Sequence, residues 1–192
     1  YDMSEYTNTD LFSQEEIDGY NYAYSKGMTS VSSLENAWLC DLITRVELAK
    51  AVVAWADDQG ITPDTSKACA FTDTSSLDND SATAVVKACQ LGIMWQWVTQ
   101  FRPYENISKA EFWTLLSRML RGSQYEWWTP YYANHLNALK AAGIMNQIAN
   151  AETTIMLKKD IFILLMRATN FNWNQNNVDC TDPIVALACA VG

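Results

Sequence analysis

The chain has 192 residues, 49% of them apolar, and carries a formal net charge of −9 with only 13 Lys plus Arg. It is long enough and apolar enough to bury one core, which excludes a disordered polymer. No basic stripe is available to neutralise phosphates, so nucleic acid is excluded as an expected partner.

The longest apolar runs, Ile161–Met166 and Ile184–Ala190, are too short to span a bilayer, and no transmembrane segment is expected. The chain begins at Tyr1 with no visible leader and reads as a processed or excised segment.

In chain order, a first helix is predicted over Ile17–Lys26, ended by Gly27 as a left-handed cap. Thr44-Arg45-Val46-Glu47 then forms a capping box: the Thr hydroxyl serves the third helical amide and the Glu reaches back. The helix behind it carries Leu48, Ala51, Val52 and Trp55. A polar linker with Pro63 follows.

The pattern then recurs. Asp80 to Leu91 carries Ala82, Val85, Val86 and Cys89 on one stripe and stops at Gly92. After the loop Phe101-Arg102-Pro103, a second capping box, Ser108-Lys109-Ala110-Glu111, opens a helix through Phe112, Leu115, Leu116, Met119 and Leu120 to Gly122. A third copy has Tyr132–Ala142, Gly143-Ile144-Met145 and a helix from Leu157 to Met166 or Arg167. Its cap has degraded, because Leu157 offers no acceptor, although Asp160 keeps the acidic position.

A period of roughly 50–65 residues marks three structural units sharing one core. They span about residues 13–56, 69–122 and 129–168 of a domain covering 1–170. Residues 171–192 form an Asn-rich strap and a short apolar tail.

Five cysteines, Cys40, Cys69, Cys89, Cys180 and Cys189, include no CxxC, and the single His135 has no Cys near it, so zinc and haem sites are not expected. Either these are buried thiols, or Cys69–Cys89 and Cys180–Cys189 are bridges, leaving Cys40 odd; the second reading implies an oxidising compartment.

Asp73, Asp78 and Asp80 lack the calcium-loop spacing and read as acids at a helix start. One His cannot support a Ser/His/Asp set, and no carboxylate pair stands out for glycoside hydrolysis, which leaves enzyme activity the weakest reading. No cofactor motif is present.

These motifs resemble the S-layer homology family, whose repeats carry Phe-x-Asp, Ala-x-x-x-Gly-Ile, Phe-x-Pro and Thr-Arg-Ala-Glu. Phe71-Thr72-Asp73, Gly92-Ile93, Phe101-Arg102-Pro103 and Ser108-Lys109-Ala110-Glu111 match all four in the second unit; the other units match in part, over about residues 13–170. The resemblance implies an all-α, three-pronged, pseudo-threefold domain of three helix-loop-helix repeats. It also implies a non-catalytic extracellular role: anchoring a surface protein by gripping acidic groups of a cell-wall polysaccharide in grooves between units.

By residue type, Arg45, Lys109 and Lys158 fall on the family's groove-facing cation, and Glu47, Glu111 and Asp160 on its acid. A cation in a helix's first turn opposes the dipole, so three of them invite an anion, which free first-turn amides would help to hold. The alternatives are that the cations are solvated and pair with nearby acids, and that Glu47 and Glu111 serve only as caps. A different class of function also fits three repeats: a self-assembly module of a surface layer or filament, with copies of the chain as partners and no glycan.

Eight Trp against seven Gly is an unusual balance, since Gly averages about 7% of residues. Trp95 and Trp97 stand where the family loop carries glycines, Trp127-Trp128 sits beside Pro130, and Trp173 lies in the Asn-rich strap. Two readings stand. Several of Trp38, Trp95, Trp97, Trp113, Trp127, Trp128 and Trp173 replace glycines encoded by UGA in a lineage that reads that codon as Gly, with Trp55 on its helix the least clear case. Otherwise the aromatics are genuine, and Trp95 and Trp97 flank the groove and stack on sugar rings.

Overall fold

The computed structural model describes residues 11–92, 98–122, 131–145 and 151–169. The protein is all-α: six helices and no strand among the described residues. They are α1 (Gln14–Ser25), α2 (Arg45–Asp58), α3 (Asn79–Gln90), α4 (Lys109–Arg121), α5 (Tyr131–Ala141) and α6 (Lys158–Thr169). The sites expected at Trp95, Trp97 and Cys180–Cys189, with Trp127, Trp128 and Trp173, lie outside the described residues.

Both expected capping boxes form. Thr44 caps α2 and accepts from the Glu47 amide, while the Thr44 amide donates to Glu47 Oε2 at 2.9 Å. Ser108 and Glu111 repeat this at α4, the Ser108 amide lying 2.8 Å from Glu111 Oε2. A third box, Ser13 with Glu16, starts α1 three residues before the predicted start at Ile17. Its signal was Ser13-Gln14-Glu15-Glu16, legible as S-x-x-E.

The helices pair across units rather than within them. α1 packs on α6, α2 on α3 and α4 on α5. Each expected helix-loop-helix unit therefore opens out, its second helix packing on the first helix of another unit or, for α6, on α1. The connections 26–44, 91–108 and 142–157 are long enough to carry the chain to a helix outside its own expected unit, which a tight hairpin turn would forbid.

At the centre the three helix-entry segments hydrogen-bond in a closed ring. The Ile43 amide donates to Met156 O (3.3 Å), Met156 to Ile107 O (2.9 Å) and Ile107 to Ile43 O (3.4 Å). All three side chains are buried. A second tier surrounds the first: Arg45 and Val46 donate to Glu105 O and Pro103 O, Lys109 and Ala110 to Thr154 O and Ala151 O, and Lys158 and Lys159 to Asp41 O and Leu39 O. Each helix start is thus satisfied by the loop of the next segment round the ring.

Trp55 joins α2 to α6. Its side chain is fully buried, and Nε1 donates to Leu165 O at 3.0 Å and Thr169 Oγ1 at 2.8 Å. Thr169 Oγ1 also pairs with the Tyr22 hydroxyl, so α1 belongs to the same knot.

Cys69 and Cys89 form a disulfide across a separation of 20 residues, tying the segment before Phe71 to the end of α3. Cys40 is free and exposed. Closing a loop of that length restricts the unfolded chain by about 3 kcal/mol. Reduction, or the Cys69→Ser/Cys89→Ser pair, should lower stability by that amount in urea titrations with and without reductant.

Candidate functional site: a groove between two helix starts

The ring brings the three predicted cations to the junctions between the helix starts, where they find different surroundings. Arg45 is 7% exposed. Its Nε donates to Phe101 O at 2.7 Å, Nη1 lies 3.3 Å from Glu111 Oε1, and the guanidinium sits 5.5 Å from the Phe101 ring centroid. Burial pulls its pKa below the usual guanidinium value, and Glu111 opposes the shift. Arg45 is therefore a buried strut between α2 and the Phe101 loop, not a free anion hook.

Lys158 Nζ pairs with Glu47 Oε1 at 3.1 Å. Burial pushes the Glu47 carboxyl up. Hydrogen bonds from Thr44, the Lys158 bond and the Lys158 charge outweigh this and hold it below the ordinary glutamate value. Glu47 and Glu111 hence do two jobs each: they cap their own helices and neutralise a cation from another.

Lys109 differs. Among the described residues it has no ion-pair partner, and its Nζ lies 5.9 Å from the Trp113 ring centroid. It borders a groove of about 280 Å³ between α4 and α6, with Trp113, Met156, Asp160, Ile163 and Arg167 among the lining residues. By position in the ring, Asp160 is to Lys109 what Glu111 is to Arg45, yet among the described residues no ion pair closes this seam. Two cations and one carboxylate thus line an open, partly apolar cleft. Arg167 is braced from outside by Glu15 at 2.6 Å and donates to Ile144 O at 3.0 Å.

The sequence pattern named Lys109 and Asp160 but missed Trp113 and Arg167. A signal existed: Trp113 is four residues after Lys109 and Arg167 seven after Asp160, so each pair shares a helix face. One expected element is not there. The first two amides of α2, α4 and α6 are bound by loop carbonyls, and the third of α2 and of α4 by its cap hydroxyl. Anion recognition in the groove falls to side chains.

Asp73 joins two further motifs. Its carboxylate accepts from the Phe101 amide at 2.8 Å and the Arg102 amide at 2.7 Å, while Phe71 stacks edge-on against Phe101 at 5.5 Å. Burial opposes ionisation, but these bonds hold the Asp73 carboxyl below the usual aspartate value. Phe-x-Asp and Phe-x-Pro therefore act together as a clasp that shapes the loop over Arg45. Asp78 caps α3 by accepting from the Ser81 amide. Among the described residues no group of His, Cys, Asp and Glu is arranged to hold a metal ion.

No described helix is long and apolar enough to cross a membrane. No protein-family model matches the chain, and no curated protein matches it.

Proposed function

We propose that this is a non-catalytic, extracellular cell-surface domain of the S-layer homology kind, binding a cell-wall polysaccharide through its acidic groups and needing no cofactor. The observation that carries this reading is the ring of three helix starts with one seam left open, where Lys109 and Arg167 face a cleft of sugar-ring size. Arg45, Lys158 and Arg167 are each committed to an internal carboxylate, Arg167 to Glu15, so Lys109 and the α4–α6 groove beside it form the main binding site. Its apolar wall suits the faces of sugar rings, and its cations suit a carboxylate or ketal-linked acid on them. The disulfide fits an oxidising, extracellular setting.

Lys109→Ala should weaken binding to polysaccharide purified from the producing organism's wall at least tenfold, with far-UV circular dichroism unchanged. Lys109→Arg should retain most of the affinity, and carboxyl-reduced polysaccharide should not bind. Undiminished binding by Lys109→Ala, measured by calorimetry, would sink the assignment.

A second reading rests on a separate observation. Leu42, Tyr104 and Ile155 are exposed apolar residues on or beside the ring segments. They suit contact with a second copy in a surface assembly. Concentration-dependent association without glycan, by sedimentation velocity, distinguishes this from polysaccharide anchoring.

A further inference from the structure

The tryptophans fall into two kinds. Trp55 is what a fold selects: no exposed surface, and an indole N–H with two acceptors.

Trp38 is the converse. It is 65% exposed and has φ +49°, a left-handed conformation in which a bulky side chain crowds its own backbone. Among the described residues only Arg102 shares that property without being glycine. Arg102 is held there by its amide bond to Asp73. The tie at Trp38 is a backbone turn, the Asp41 amide to Trp38 O at 2.9 Å, which any residue supplies.

The described glycines behave differently. Gly27, Gly60, Gly92, Gly122 and Gly143 have positive φ, and a Cβ on Gly19 would lie 3.1 Å from the Ile163 backbone nitrogen. Glycine thus stands where the backbone demands it, and Trp38 occupies one more such place.

We propose that position 38 is glycine in the protein as its own cell makes it, encoded by UGA in a lineage that reads UGA as glycine. Trp55 is a true tryptophan encoded by UGG.

The test is the gene's codons together with the intact mass of protein purified from its native cells. UGA at 38, UGG at 55, and a mass requiring glycine at 38 are expected. UGG at 38, or a mass requiring tryptophan there, overturns the proposal. A physical arm uses the chain as written here. Trp38→Gly should raise Tm by about 3 °C, while Trp55→Gly should abolish the cooperative transition. A lower Tm for Trp38→Gly overturns the reading of position 38.

Discussion

Trp55→Ala should cost about 3–5 kcal/mol, the largest loss expected from a single substitution. The side chain fills the seam of α2 and α6 and donates to Leu165 O and Thr169 Oγ1. Truncation leaves a cavity at the joint of the first and last units and frees Thr169 from the knot with Tyr22. A domain with a total stability of 5–15 kcal/mol then sits near its unfolding threshold. Trp55→Phe keeps most of the volume and loses only the N–H bonds, so about 1–2 kcal/mol is expected. Urea midpoints for the pair separate packing from hydrogen bonding. A loss below about 1 kcal/mol for the alanine variant would refute the central role given to this joint.

Mild acid should destabilise the protein in two stages, the first set by His135. This imidazole, on α5, is fully buried, with Nδ1 2.9 Å from Ser117 Oγ on α4. Burial, helped by the nearby Arg118 charge, pushes its pKa from 6.5 down to about 4. A depressed base binds its proton more readily when unfolded. The neutral histidine's contribution is therefore fully present above pH 6.5 and is lost as pH falls toward 4. At about 1.4 kcal/mol per unit, the loss across that window is of order 3 kcal/mol.

The second stage belongs to the carboxylates held below their ordinary values, Glu16, Glu47 and Asp73. Their contribution is present above the ordinary carboxylate range and is lost as pH falls through their lowered values. His135→Gln keeps a hydrogen-bonding partner for Ser117 and cannot titrate. Its stability should stay level from pH 6.5 to about 5, where the wild type already declines. Parallel slopes for the two proteins in that window would show that His135 does not carry the effect.

Much of the local structure was legible before any tertiary contact was known. Thr44 with Glu47 and Ser108 with Glu111 announce helix starts because capping is satisfied within four residues. Gly27, Gly92 and Gly143 announce helix ends because left-handed φ is cheap only without a Cβ. The Cys69–Cys89 pairing was one of two readings, and the fold brings the two cysteines together. The partner of each helix was not legible. An apolar stripe at helical spacing says that a face is buried, not what buries it. A helix-loop-helix recurrence does not say which helices pack, and the long connections let each reach a helix outside its own repeat.

The candidate site divides the same way. Sequence placed Arg45, Lys109 and Lys158 at equivalent first-turn positions. Residue type and spacing carry no information on which carboxylate lies across a seam. The fold puts Glu111 against Arg45 and Glu47 against Lys158, and leaves Lys109 beside an open cleft.

The chain by itself thus determined helix starts, helix stops and the residues able to carry charge, because each of these is decided by neighbours within a turn or two. Tertiary structure alone decided that helices pair across units, that the loops occupy the first-turn amides, and that one of three cations faces an open groove. Those outcomes depend on contacts between residues well beyond one helical turn of each other in sequence, where the balance of burial, ion pairing and loop closure is struck only once the ring has formed.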